Sequence, residues 1–144
     1  MSDPDKVYLL DSSALLALIE KEAGWQRVER ILRKERVIIP SVVLLEVYYK
    51  TFQTKGEDVA DARYAILRAM RAEFPSEISE PVLLTAGRFK ALHNISLADA
   101  LIGSYAFSSN AILVHKDPEY EGLKGSVEEE RLPYKKRRRQ SSKQ

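Results

Sequence analysis

The strongest constraint on the fold is a repeated junction, in which a short, wholly apolar run stops at a polar helix-start signal. "KVYLL" (6–10) is rich in strand formers, halts at Asp11-Ser12-Ser13 and continues as the helical "ALLALIEKE". "RVII" (36–39) likewise ends at Pro40-Ser41 and passes into "VVLLEVYYKTFQTKG". That second segment is crowded with β-branched residues, yet its length and its Pro-Ser start favour helix. Strands that are apolar at every position need cover on both faces, as in parallel sheets. The alternation therefore predicts an α/β domain, a three-layer sandwich with a short central parallel sheet flanked by helices.

The rest of the chain fits this pattern. "GWQRVERILRKE" (24–35) has Trp25, Val28, Ile31 and Leu32 at helical spacing. A long helix is expected over 57–74, with Val59, Ala62, Ala65, Ile66, Ala69 and Met70 on one side. "SEIS" (76–79) reads as a short strand, 80–94 as a helix opened by Pro81, and "ISLADALIGSYA" (95–106) as a helix that is apolar on nearly every face. "NAILVHKD" (110–117) supplies a strand and a turn, and "GSVEEERL" (125–132) a last short strand. There is no internal repeat. One domain is expected over 1–134, followed by a basic, disordered tail over 135–144.

Composition narrows the chemistry. The chain has no cysteine, which excludes a disulfide framework and a thiolate metal site, and its two histidines, His93 and His115, disfavour a histidine-rich one. A metal here would need oxygen ligands, which favours magnesium or manganese. The absence of cysteine fits a cytoplasmic protein, and neither a secretory signal nor a membrane span is expected. The net charge of +2 conceals an asymmetry: six of the 23 basic residues fall in the last ten positions, leaving 17 basic against 21 acidic in the first 134. No GxGxxG or GxxxxGK[ST] loop is present, which disfavours P-loop nucleotide hydrolysis. A glycosidase would also use paired carboxylates, but one Trp offers little sugar-binding surface.

Four acids interrupt or end the apolar segments. Asp11 directly follows the first strand, and Asp117 lies three residues beyond "AILV", so both leave the same edge of a parallel sheet, where open α/β folds bind ligands. Asp99 stands in the first turn of its helix, and Glu46 is flanked by Leu44, Leu45 and Val47. Each has a plainer reading: Asp11 as an N-cap, Asp99 in a capping box with Ser96, Asp117 in a turn with Pro118, Glu46 on a solvated stripe. Together they suggest a cluster. Carboxylates within about 4 Å repel by roughly 4 kcal/mol per pair at an effective dielectric near 20, so such a cluster needs protons or a cation.

In order and spacing, "YLLDSSALLALI", "IPSVVLLEV", "ISLADALIGSYA" and "ILVHKDPEY" resemble the four acidic motifs of PIN domains. Within that group the resemblance is greatest to VapC-type toxins, the ribonuclease halves of toxin–antitoxin pairs. It spans roughly 6–132. It implies a Mg2+- or Mn2+-dependent endoribonuclease in which metal-activated water attacks an RNA phosphodiester, leaving a 5′-phosphate and a 3′-hydroxyl. Asp11 and Asp99 match the most direct metal ligands, Glu46 holds metal or its waters, and Asp117 completes the set. Ser13, two residues past the first Asp, matches a position whose hydroxyl orients a carboxylate or a water. The alternative is a non-catalytic PIN-like scaffold that binds RNA or protein.

One departure stands out: His115 occupies a position, two before the last acid, where a small hydroxyl residue is common. Lys116 is a candidate phosphate contact, and Glu119 reads as a surface turn residue or as a further carboxylate near Asp117. Lys50, Lys55, Arg88 and Lys90 are other cations available to an RNA backbone. Lys135, Lys136, Arg137, Arg138 and Arg139 form an electrostatic RNA tether or a solubilising end. The resemblance also implies an antitoxin protein that masks the site, and a homodimer.

Overall fold

The computed structural model describes residues 5–134. At its centre lies a sheet of four parallel strands, β1 (Val7–Leu10), β2 (Arg36–Ile38), β3 (Ile112–His115) and β4 (Glu129–Arg131), in the order β2-β1-β3-β4. Around it lie α1 (Ser12–Glu20), α2 (Trp25–Lys34), α3 (Ser41–Lys55), α4 (Glu57–Arg68), α5 (Glu80–Leu92) and α6 (Leu97–Ser108). A 3-10 turn, Pro118–Leu123, follows β3. Every residue of β1 and β3 is buried, as the apolar runs Val7–Leu10 and 112–114 require, and His115 is buried with them. The α/β sandwich expected from the sequence is the fold observed. Among the described residues, no helix is long and apolar enough to cross a membrane.

The strand order positions the site. From β1 the chain moves outward to β2, then returns past β1 to enter the sheet as β3 on its other side. The winding direction therefore reverses between β1 and β3, whose carboxyl ends lie side by side with Leu10 opposite Val114. Such a reversal opens a crevice at the strand ends. The backbone N–H of Asp11 donates to the Val114 carbonyl at 3.2 Å, so the first acid is tied to β3 before any side chain acts.

α3 is helical despite its β-branched residues because one face goes to the core: Val43, Leu44, Val47 and Thr51 are buried, and Glu46 lies among them. Three expectations are corrected. The helix expected over 57–74 stops at Arg68, and residues 73–75 instead pair with the edge of β2: Glu73 N–H donates to Val37, and the Ile39 and Ser41 N–H groups donate to Glu73 and Pro75. Pro75 disfavours helical geometry at Phe74, so the chain is already extended there. The strand expected at "SEIS" does not form. That stretch runs alongside α6, where the Tyr105 hydroxyl donates to the Glu77 carbonyl at 2.6 Å. The apolar side assigned to α4 is not its buried side: α4 buries Ala60 and Leu67, and leaves Val59 and Ile66 in solvent.

Candidate active site

Four elements deliver the acids to the crevice. Asp11 ends β1 in extended geometry and caps α1, its Oδ1 accepting from the Ala14 N–H at 2.9 Å and from the Ser13 hydroxyl at 2.7 Å. Ser13 in turn accepts from the Lys116 backbone N–H at 2.8 Å, so one hydroxyl joins the end of β1 to the end of β3. Glu46 projects from the second turn of α3, and its Oε1 accepts from the Ser12 hydroxyl at 2.9 Å. Asp99 lies in the first turn of α6 and accepts on Oδ1 from the Tyr120 hydroxyl at 2.9 Å. Asp117 caps the 3-10 turn by accepting from the Glu119 N–H at 2.9 Å.

The plain readings and the cluster turn out to be compatible. Asp11 is an N-cap and also faces the crevice. Ser96 caps α6 by accepting from the Asp99 N–H at 3.1 Å, but the reciprocal half of the capping box comes from elsewhere. The Ser96 N–H donates to Glu119 Oε1 at 3.2 Å, which leaves the Asp99 carboxylate free to turn inward. Glu119 is exposed in its turn, yet carboxylate oxygens of Asp99, Asp117 and Glu119 lie within 4.8 Å of one another. Both surroundings foreseen for it are therefore present.

Electrostatics ties the acids into one group. Burial pushes the Asp11 carboxyl up to about 7, against the donations from Ser13 and Ala14, and the charges of Asp117 and Glu46 push the same way. Burial likewise raises Asp99 to about 8, reinforced by a hydrogen bond to Asp117 and by the charges of Asp117 and Glu46, and opposed by Tyr120. Burial, with the charges of Asp11 and Asp99, lifts the Tyr120 phenol well above its ordinary range, so it stays protonated and serves as a donor. Against Asp11, Glu46, Asp99, Asp117 and Glu119, the one cation paired among the described residues is Lys50, 3.9 Å from Glu46.

The donor set fits a hard divalent cation. It is all oxygen, mostly carboxylate, and short of positive charge. Both protein donors to Asp11 fall on Oδ1, so among the described residues its Oδ2 takes no protein hydrogen bond.

His115 is neither exposed nor free. Its Nδ1 accepts from the Asp117 N–H at 3.0 Å, so the neutral ring carries its proton on Nε2, which donates to Glu129 Oε1 at 2.7 Å. Burial lowers its pKa and keeps it neutral, despite Glu129. It thus sets the backbone of Asp117 from below. Lys116 also differs from a freely exposed phosphate contact: its side chain is 4% exposed and its Nζ donates to the Ala23 carbonyl at 3.1 Å. Lys90 is spent on the Ile95 carbonyl at 2.7 Å, whereas Lys55 and Arg88 are exposed on α3 and α5. Lys135, Lys136, Arg137, Arg138 and Arg139 lie outside the described residues. Sequence reasoning missed Ser12 and Tyr120, and in both cases the partner acid is distant in sequence.

The family model of the PIN domain matches residues 8–125. The chain belongs to the PIN-domain family. Solved structures with this PIN fold include VapBC2 from Rickettsia felis bound to a promoter DNA fragment, at a TM-score of 0.73 and 21% identity, covering 88% of this chain and 99% of that one. DNA-bound VapBC from Salmonella typhimurium superposes at 0.71 and 18% identity, covering 88% and 98%. VapC20 from Mycobacterium tuberculosis, described as a sarcin–ricin loop cleaving toxin, superposes at 0.68 and 16% identity, covering 89% and 100%. Comparison with curated protein sequences finds no match.

Proposed function

We propose that this PIN domain is a metal-dependent endoribonuclease and the toxin of a toxin–antitoxin pair. The observation that carries the reading is that Asp11, Glu46, Asp99 and Asp117 come from four separate elements, that the charges of Glu46 and Asp117 act on both Asp11 and Asp99, and that among the described residues Lys50 is the one cation paired with them. Magnesium or manganese held by these acids supplies the missing charge, steadies a phosphate oxygen and lowers the pKa of water. What the chain itself contributes is positioning. Ser13 aims Asp11, Ser12 aims Glu46, Tyr120 aims Asp99, and His115 fixes the backbone beneath Asp117. Lys50 stands at the rim as a contact for the RNA backbone, and Tyr134, the last described residue, lines the adjoining cavity. The basic run Lys135, Lys136, Arg137, Arg138 and Arg139 follows at once in the sequence and acts as a tether on RNA.

The VapBC neighbours support an antitoxin partner. Two exposed apolar faces offer room for it and for a second copy of the chain: Leu45, Phe52, Tyr64 and Ile66 on α3 and α4, and Leu84, Leu92 and Phe107 on α5 and α6. Cytoplasmic action follows from an RNA substrate. Digestion of a mixed RNA panel tests the reading, with magnesium or manganese and with chelator, followed by mapping of the cut ends. Metal-dependent cuts with 5′-phosphate ends are expected, abolished by Asp11→Asn or Asp99→Asn. Chelator-insensitive cutting, or no cutting, overturns it.

A further inference from the structure

A recess of about 560 Å3 adjoins the acids and is lined by Asp117 and Ser13 of the site. We infer that it receives one unpaired nucleotide adjacent to the cleaved bond, with the base against Tyr134, Pro118 and Leu16 and the flanking phosphate toward Lys50 and Lys116. The inference rests on the ribonuclease reading and deepens it by assigning a subsite.

The walls decide the occupant. Leu16 and Tyr134 are half-buried and Pro118 is exposed, which gives the recess apolar surface suited to a flat ring. Lys116 brings an ammonium with three N–H groups into a nearly dry wall. One reaches the Ala23 carbonyl, and Glu22 Oε1 is 3.8 Å away, beyond hydrogen-bond length. A desolvated ammonium with donors to spare favours an added acceptor. Lys50, with its side chain 44% exposed, supplies a second cation.

Yet the recess is no simple anion site, because the Glu22 and Asp117 carboxylates also line it. They repel a free polyanion, and Asp117 offers a carboxylate oxygen to the N–H groups of a base. An occupant with a flat ring, ring N–H groups and a single phosphate satisfies all of these walls. Since Asp117 lines the recess and also lies within 4.8 Å of the Asp99 and Glu119 carboxylates, that occupant is continuous with whatever lies on the acids. Three contacts hold Tyr134 in place at the wall, one of them its ring lying 6.4 Å from that of His115. Its hydroxyl donates to Glu121 Oε2 at 3.3 Å, and the Arg131 guanidinium lies 5.8 Å from its ring centroid. Tyr134 is a positioning residue that sets which bond reaches the acids.

The test uses the full chain carrying Asp99→Asn, so that RNA stays intact. It reads the anisotropy of a fluorescein-labelled, unstructured RNA hexamer. Adding Tyr134→Ala is expected to weaken binding about 5- to 100-fold, the range for losing one base–aromatic stack, whereas Tyr134→Phe changes it by less than about threefold. A hexamer of abasic riboses is expected to bind equally with and without Tyr134→Ala. The inference is overturned by failure of the hexamer to bind, by unchanged binding in Tyr134→Ala, by an equal loss in Tyr134→Phe, or by the same loss with the abasic hexamer. Cleavage by the otherwise unaltered chain separates this subsite from the nuclease reading. Tyr134→Ala is expected to raise KM and move the cut positions with kcat nearly kept. If the unaltered chain cuts and Tyr134→Ala shares its KM and its cut positions, the subsite falls and the nuclease stands. If the unaltered chain does not cut, the nuclease reading falls, and anisotropy alone decides the subsite.

Discussion

Asp11→Asn is expected to make the metal-free protein more stable at pH 8, while destroying the activity proposed for it. The unfolded carboxyl titrates near 3.8 and the folded one near 7, because burial withholds water from its charge. Between those values the folded protein keeps a proton that the unfolded chain has released, so stability falls as pH rises, and the loss is complete above about 7. At pH 8 the difference corresponds to about 4 kcal/mol, and about 3 kcal/mol of it develops between pH 5 and pH 8. Asn removes the charge but keeps the oxygen that caps α1, accepting from Ala14 and Ser13 in place of Asp11 Oδ1. The substitution therefore isolates the cost of the charge. For a domain of this size the gain amounts to a rise in Tm on the order of 10 °C at pH 8, shrinking toward pH 5. Thermal and urea unfolding in chelator at pH 5, 6, 7 and 8 measures it. Added magnesium reverses the order, because the Asp protein gains binding energy that the Asn protein lacks. A variant that is no more stable at pH 8, or that gains equally at pH 5 and pH 8, refutes the reasoning.

Other perturbations have equally definite outcomes. Tyr120→Phe removes the donor to Asp99 without changing the ring, so the metal concentration for half-maximal RNA cleavage is expected to rise several-fold while the fold persists. Ser13→Ala breaks the link between Asp11 and the Lys116 backbone, and urea unfolding should show a loss of about 1–2 kcal/mol. Gly103→Ala places a methyl group 2.6 Å from Leu123 Cδ1 inside the packed contact of α6 with the 3-10 turn. The expected cost is about 1–3 kcal/mol in the same measurement, because two buried groups must part.

What the sequence revealed, and what it hid, follows from the range of each interaction. Strand β1, its stop at Asp11 and the helix beyond are written in the unbroken stretch 7–20, and local chemistry suffices to read them. The convergence of Asp11 and Asp117 follows from strand direction alone. The helical character of "VVLLEV" was legible through its Pro-Ser start, although a side-chain cap is absent and Pro40 itself holds the cap position. By contrast, the roles of Ser12 and Tyr120 depend on acids 34 and 21 residues away, and nothing near either residue announces them. The end of α4 was misread for a related reason. Residues 69–74 are good helix formers, but the open edge of β2 claims the N–H and the carbonyl of Glu73. The buried side of α4 is not legible because an apolar stripe at helical spacing does not say what covers it, and Val59 and Ile66 on that stripe are exposed.

The four acids stretch from residue 11 to residue 117, and β3 must insert beside β1 before the last of them arrives. A chain still emerging from its ribosome therefore cannot gather all four acids until that late strand has docked.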